Sequence, residues 1–280
     1  MMRDAGDPML SSGRRPRESQ PLLENKTLLV TGIANTESIA FATALHAASA
    51  GARLVLTAFP RDLDAALACT KELPVRAPVL PLDLTDAQQV ADVRDQLRAA
   101  VGHLDGALHA IAFAPPDALQ SLLGVPSDAT ETAFRTSVHS YVMLAQLLAD
   151  LAPTSGASLV GLDFDASRAW PVYNWMGVCK AALESTNQYL ARHLGPRRIR
   201  ANLIAAGPLV TRAASAIPGF DELLRAWQHA PLPWNEKDAT PVAHAACFLL
   251  SDLSAAITGE ILHVDGGHHV LAATPATDRA

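Results

Sequence analysis

Between Lys26 and Val264 the chain alternates short apolar runs with longer stretches of helical character. Thr27–Thr31 predicts a first strand, broken by Gly32. Ile39–Ala50 predicts a helix that stops at Gly51, where a glycine suits the left-handed residue that commonly ends a helix. Arg53–Thr57 reads as a second strand, Arg61–Leu73 as a helix stopped by Pro74, and Pro78–Leu84 as a third strand. Asp86–Val101 is an amphipathic helix with Gly102 behind it. Ala107–Ala112 predicts the fourth strand, Thr130–Leu151 one long helix ending near Pro153, and Ala157–Leu162 the fifth strand. A helix carrying Lys180 runs to about Leu194, capped by Gly195. Ile199–Ala205 and Glu260–Val264 are the sixth and seventh strands, with a helix over Thr240–Leu250 between them.

The strands are apolar almost without interruption, and strand and helix alternate throughout. That predicts a parallel sheet buried on both faces, an α/β doubly wound Rossmann-type domain with seven parallel strands. No composition break or internal repeat divides it, so residues 22–271 are expected to form one domain. Leu223, Leu224 and Trp227 recur at helical spacing and predict a small helical lid within about 211–234. Such sheets bind ligands beyond the carboxyl ends of the strands, where strand order reverses. Gly32, Asp83, Ala112, Asp163 and Gly207 stand at or just past strand ends and should gather on one edge.

Composition narrows the function. Of 280 residues, 49% are hydrophobic and 18% charged, enough for a sizeable core. A net charge of −6 and a pI near 5.9 argue against nucleic acid as a partner, since duplex binding rests on a basic surface. No run of about 18 apolar residues exists, so no membrane association is expected. Cys69, Cys179 and Cys247 stand far apart without CxxC or histidine pairing, which points to reduced thiols, no metal site and a cytoplasmic location. Arg14-Arg15 is followed by no apolar stretch of the length an export signal needs. Residues 1–21 are expected to be a disordered leader and 272–280 a flexible tail.

The chemistry centres on Tyr173 and Lys180. Seven residues are about two helical turns, so a helix through both places phenol and ammonium on nearly one face. A phenol can donate to a developing oxyanion; a neighbouring ammonium can lower the phenol pKa and grip a sugar diol. Taken alone, the pair reads more readily as a surface tyrosine and a solvated lysine, since both are common on exposed helix faces. Its place after the fifth strand of a dinucleotide fold favours catalysis. At the first turn, Thr31-Gly32-Ile33 runs to Ser38-Ile39 without a GxGxxG pattern. Gly32 would let the backbone approach a pyrophosphate, and Ser38 would add a hydroxyl where the helix dipole favours anions; an ordinary turn with a helix cap is the competing reading. After the second strand the acidic residue that would hold the adenosine ribose is absent. Phe59 could stack on adenine or be a loop aromatic. Arg61 could accept a 2′-phosphate, which leaves NADPH open beside NADH. Asp83 could accept a hydrogen bond from the adenine amino group, whereas Asp86 reads as a helix cap.

These segments carry a resemblance. The chain resembles the enoyl-acyl-carrier-protein reductases, a divergent branch of the short-chain dehydrogenase/reductases, and most of all the isoniazid-target NADH-dependent reductases. The resemblance runs through Thr31-Gly32-Ile33 with Ser38-Ile39-Ala40, and Leu162-Asp163-Phe164-Asp165 with Ser167-Arg168-Ala169. It continues in Tyr173-Asn174-Trp175-Met176 with Lys180, Ala205-Ala206-Gly207-Pro208, Trp234-Asn235 with Lys237-Asp238-Ala239-Thr240-Pro241, and Asp265-Gly266-Gly267. It covers about residues 22 to 270. It implies hydride transfer from NADH to the β-carbon of a trans-2-enoyl thioester on acyl carrier protein or CoA, in fatty-acid synthesis. Tyr173 would meet the thioester carbonyl, Phe164 and Met176 would flank the substrate, and Lys180 would hold the nicotinamide ribose. Ile33, Ile39, Leu84, Ala110, Ala112, Leu162, Gly207, Leu209 and Thr211 would line the cofactor with the residues already named. Carbonyl-reducing relatives carry Tyr-x3-Lys and an upstream serine; here Gly177 follows Tyr173 by four, and Val160 or Gly161 occupies the serine position. That points to a conjugated double bond. The family also implies a homotetramer and an acidic carrier-protein partner, for which Arg192, Arg197, Arg198 and Arg200 are a candidate surface, though a solvated face is the favoured reading.

Three departures stand out. His109-Ala110-Ile111-Ala112 has alanines where the family usually has serine and glycine, which predicts weaker NADH binding and a poorer fit for flat molecules stacking on nicotinamide. The 211–234 stretch is short, which predicts shorter acyl chains. Trp170 adds bulk near the site or packs in a loop. Competing functions are a paralogue of a specialised pathway or inhibitor-tolerant copy, and a non-catalytic dinucleotide-binding protein.

Overall fold

The structure is a computed structural model describing residues 20–212 and 214–272. The expected leader up to residue 19 and the tail from 273 lie outside the described residues. The strands are β1 (Thr27–Val30), β2 (Arg53–Ala58), β3 (Val79–Pro81), β4 (Gly106–His109), β5 (Ala157–Asp163), β6 (Ile199–Ala206) and β7 (Ile261–Val264). All neighbours pair parallel, in the order 3-2-1-4-5-6-7. This is the doubly wound α/β architecture that the apolar pattern predicts. Its strand order reverses between β1 and β4.

The near-continuous apolar strands have a direct explanation. Leu28 and Val30 enter one core while Leu29 between them enters the other; Leu54 and Leu56 likewise flank Val55. Successive side chains point to opposite faces, and both faces are covered. Helices α1 (Ile39–Ser49), α2 (Leu63–Cys69) and α9 (Thr240–Leu250) cover the first face. Helices α3 (Ala87–Val101), α6 (Ser140–Leu151) and α7 (Trp175–Leu194) cover the second. Each fully buried leucine contributes roughly 1.5–3 kcal/mol. Short α4 (Pro116–Gln120), α5 (Ser127–Phe134) and α8 (Phe220–Trp227) stand over the carboxyl edge of the sheet.

Several boundaries differ from the sequence pattern. The third strand shrinks to three residues because Pro81 cannot donate to a ladder and lies on the edge strand. The fourth ends at His109, so Ala110 and Ala112 belong to the loop beyond it. The helix at 61–73 is interrupted at both ends by 3₁₀ turns, Pro60–Asp62 and Thr70–Glu72. The expected helix 130–151 is split by a π-helical turn at Arg135–His139. That turn lets Ser137 both donate to the Phe113 carbonyl at 3.0 Å and accept from its N–H at 2.9 Å. Helix α7 ends at Leu194 with Gly195 as its cap, as expected; a 3₁₀ turn follows, and the left-handed residue is Arg198, at φ 60°. The expected cap at Asp86 is present: its carboxylate accepts from Gln88 and Gln89 N–H, which holds its pKa below the usual range.

Candidate active site

Gly32, Asp83, Ala112, Asp163 and Gly207 stand at or just past the carboxyl ends of parallel strands, on one edge of the sheet. Gly32 takes φ +80°, and a Cβ there would lie 2.1 Å from the Ala110 carbonyl oxygen. Only a glycine lets the β1 turn lie this close against the end of β4. Ser38 is the N-cap of α1, accepting from Phe41 N–H at 3.1 Å and donating to the Asn35 carbonyl at 2.8 Å. Its hydroxyl proton is therefore used within the turn, which leaves the helix dipole and its free N–H groups as the anion-binding element. Ile33 and Leu84 are buried, Ile39 and Ala110 are half-buried, and Ala112 is exposed. Phe59 is 43% exposed, with the Arg61 guanidinium 5.0 Å from its ring centre. Asp83 accepts from both the N–H and the hydroxyl of Thr85 at 2.8 Å, closing a turn. The Asp62 carboxylate takes Arg212 at 2.8 Å and stands 3.7 Å from Arg61.

Across the switch point, β5 ends in Asp163 and leads to Phe164. The Phe164 and Tyr173 rings stack, 4.0 Å between centres and 12° apart. Met176, buried with Cys179, packs beneath them. Burial pushes the Tyr173 phenol well above its ordinary value, so it is a neutral donor. Its hydroxyl bonds to no described residue.

Tyr173 and Lys180 do not share a helix face. Helix α7 begins only at Trp175, and Asn174 takes φ 40° and ψ −114°, a sparsely populated conformation for a side-chain-bearing residue. Its amide donates to the Leu119 carbonyl at 2.7 Å. Tyr173 thus stands on a turn before the helix. Lys180, on the helix, donates to the Leu162 carbonyl at 2.7 Å and lies 3.8 Å from Asp163. The two groups meet through β5, Lys180 beside Asp163 and Tyr173 on Phe164. Lys180 does not lower the phenol pKa; burial governs it.

Sequence reasoning missed the buried polar layer behind the site. Asp163 and Lys180 are both buried, and burial raises the carboxyl to about 7 and lowers the ammonium, each partner opposing the other's shift. Both Asp163 oxygens lack a hydrogen bond among the described residues. His109, fully buried, meets the Ser140 hydroxyl at 2.8 Å, and that hydroxyl donates to the Thr136 carbonyl. Ser140 has one proton to give, so His109 Nε2 is the donor in this pair. Tyr141 donates to Asn187 at 2.9 Å. In the sequence Asp163 stands at a strand end inside a family segment and His109 opens the altered 109–112 run, but neither position reports the buried partner it meets.

The remaining predicted positions follow β6. Gly207 is held by its N–H to the Val264 carbonyl, and a Cβ on it would come within 2.7–2.9 Å of Trp227 and Trp234. Trp234 donates to the Pro208 carbonyl at 2.8 Å and Trp227 to that of Asp265 at 3.0 Å. Leu209 is buried in the core, and the Thr211 hydroxyl accepts from Ala214 N–H. The Leu162 carbonyl belongs to Lys180. A tight cleft of about 20 Å³ lies between Phe164, Tyr173, Trp170, Leu223, Trp227 and His268. Trp170 is no idle loop residue: it lies 5.2 Å from Trp227 and donates to the Asp165 carbonyl at 2.7 Å. Gly161 backs onto Tyr141 and Leu203, where a Cβ would sit 2.6 Å from Leu203; a serine there would not fit. Of the arginine cluster, Arg200 is bound to the Leu249 and Ser251 carbonyls and Arg197 to that of Ala149. Among the described residues no group of three His, Cys, Asp or Glu is disposed to hold a metal. No described helix is long and apolar enough to cross a membrane.

A parallel sheet with a crevice at its switch point, a glycine turn after β1, and a tyrosine and lysine after β5 define an oxidoreductase of the short-chain dehydrogenase/reductase fold, built for a nicotinamide cofactor. The family model described as enoyl-(acyl carrier protein) reductase matches residues 32–269. The chain is 42% identical over 262 residues to the enoyl-[acyl-carrier-protein] reductase [NADH] of Mycolicibacterium smegmatis, covering 88% of this chain and 97% of the relative. It is 41% identical to the Mycobacterium avium protein of the same name over 261 residues, again 88% and 97% of the two chains. The NADPH-named Staphylococcus aureus reductase is 36% identical over 258 residues, covering 89% and 98%. The chain belongs to the enoyl-(acyl carrier protein) reductase family.

Proposed function

We propose that this protein reduces the trans-2 double bond of an enoyl thioester on acyl carrier protein, using NADH, in fatty-acid synthesis. The observation that carries the reading is the neutral Tyr173 phenol, stacked on Phe164 with its hydroxyl bonded to no described residue, at the carboxyl edge of β5. A nicotinamide dinucleotide held here would supply the hydride for the β-carbon. Negative charge then grows on the thioester oxygen, where the Tyr173 hydroxyl donates; a preorganised donor in a dry site gives more than it would in water. Phe164 holds the phenol in place and keeps water from one face. Lys180, fixed by Leu162 and Asp163, presents its remaining N–H groups to the ribose diol. Gly32 and the start of α1 receive the pyrophosphate, and Gly207, Leu209 and Thr211 line the nicotinamide side.

NADH is favoured over NADPH because the arginines beside β2 are matched by Asp62, which would also repel a 2′-phosphate. The lid is α8 with its flanking turns, and its packing on Val172 and Tyr173 supports an acyl-binding role. A homotetramer and a cytoplasmic location accompany this reading. The test is absorbance at 340 nm during incubation with crotonyl or octenoyl thioesters and each dinucleotide. NADH oxidation well above NADPH oxidation is expected; no oxidation with any thioester would leave only a dinucleotide-binding protein. A specialised-pathway role, kept open by Ala110 and Ala112, would show as poor turnover of plain acyl chains.

A further inference from the structure

The cleft beside Tyr173 reaches an imidazole with nothing to bind. His268 is 6% exposed, and neither ring nitrogen has a hydrogen-bond partner among the described residues. Its ring stacks on Trp227, 4.0 Å between centres and 12° apart, and lies 5.7 Å from Trp170. A pocket for plain hydrocarbon gains nothing from this, since an unpaired buried polar group is destabilising and a phenylalanine would stack equally well. Burial keeps the imidazole neutral at pH 7, against the pulls of Asp265 and Asp165 and a weak approach to the Ala226 backbone that falls short of hydrogen-bond geometry. It therefore offers one donor and one acceptor. Asp165 and Asp265 also line the cleft and turn an anion away. Arg168, the nearby cation, is committed to the His269 and Leu271 carbonyls. The complementary group is neutral and both donates and accepts, as a hydroxyl does. The indoles of Trp170 and Trp227 meanwhile close the cleft to about 20 Å³, room for a single small polar group and not for a long hydrocarbon chain.

Resting on the enoyl-reductase reading, we propose that the preferred substrates are short trans-2-enoyl thioesters carrying a neutral hydrogen-bonding substituent, a hydroxyl in the simplest case, which His268 recognises. The experiment measures kcat/KM of the full-length protein with NADH for 2-hexenoyl, 5-hydroxy-2-hexenoyl, 6-hydroxy-2-hexenoyl and 2-dodecenoyl CoA. It is repeated with His268→Phe, which keeps the stack but removes both nitrogens, and with His268→Gln, which restores a donor and an acceptor. One hydroxyhexenoyl isomer should exceed hexenoyl by about 2- to 12-fold, the worth of one hydrogen bond. The dodecenoyl chain should be slowest. The hydroxyl preference should vanish in His268→Phe and return in part in His268→Gln. Equal rates for hydroxylated and plain hexenoyl chains in the unaltered protein would overturn the proposal. So would a preference that survives His268→Phe, or a preference for dodecenoyl. No turnover of any thioester would instead overturn the reductase reading, and this proposal with it.

Discussion

Acid stability should be governed in part by His109. Its Nε2 proton is given to Ser140, its Nδ1 is buried without a partner, and Tyr141 lies edge-on at 5.3 Å. Burial, reinforced by repulsion from Lys180, lowers its pKa from 6.5 to about 3. A base with a lowered folded-state pKa contributes stability above its unfolded pKa and loses it as pH falls, because only the unfolded chain takes up the proton. Each pH unit is worth about 1.4 kcal/mol per proton. Between pH 6.5 and 5 the loss is therefore about 2 kcal/mol from this residue. Asp163 acts in the opposite sense. With its carboxyl raised from 3.8 to about 7, the folded chain keeps a proton that the unfolded chain has released, so its contribution falls as pH rises through that window. Comparing His109→Gln with the unaltered protein cancels that term. Glutamine keeps a donor for Ser140 and does not titrate. Urea unfolding at pH 8, 6.5, 5.5 and 5 measures both slopes. Stability should fall more steeply in the unaltered protein, by about one proton's worth; parallel slopes would refute the reasoning.

Tyr173→Phe should keep the stack on Phe164 while lowering kcat by roughly 10²- to 10³-fold, the effect of deleting one oxyanion donor; a loss below tenfold would remove Tyr173 as the main donor. Gly32→Ala should cost at least about 1–2 kcal/mol from the left-handed backbone alone, and more from the clash with Ala110. It should lower Tm and abolish NADH binding by fluorescence titration, and an unchanged Kd would contradict the role given to this turn. Ala110→Ser with Ala112→Gly should tighten NADH binding about 2- to 12-fold, the value of one added hydrogen bond. If affinity stayed the same, these alanines would not be what sets cofactor affinity.

The sheet was legible because each strand feeds two cores, so Leu28, Leu29 and Val30 are all apolar although they point to opposite faces. The Asp86 cap was legible because its partners are two and three residues away. What escaped depends on distant parts of the chain. The π turn at Arg135–His139 answers to the backbone of Phe113, which no local periodicity reports. Tyr173 leaves the helix because Asn174 is held by Leu119, 55 residues away. At the site, heptad-like spacing suggested one helical face for Tyr173 and Lys180, whereas Tyr173 precedes the helix and the end of β5 lies between them. His268 carried no signal, since its meaning comes from tryptophans at 170 and 227.

Those indoles have a mechanical consequence. Trp227 and Trp234 clasp Gly207 from the lid side while tying themselves to the Asp265 and Pro208 carbonyls. On the function proposed above, the floor under the dinucleotide and the wall of the acyl channel would be one clasped unit. Swinging the wall outward to admit a bulky carrier arm would drag the nucleotide floor along, so tight occupancy of the floor should brace the entrance before the thioester arrives. An ordered sequence, dinucleotide first, would then follow from carpentry and not from charge.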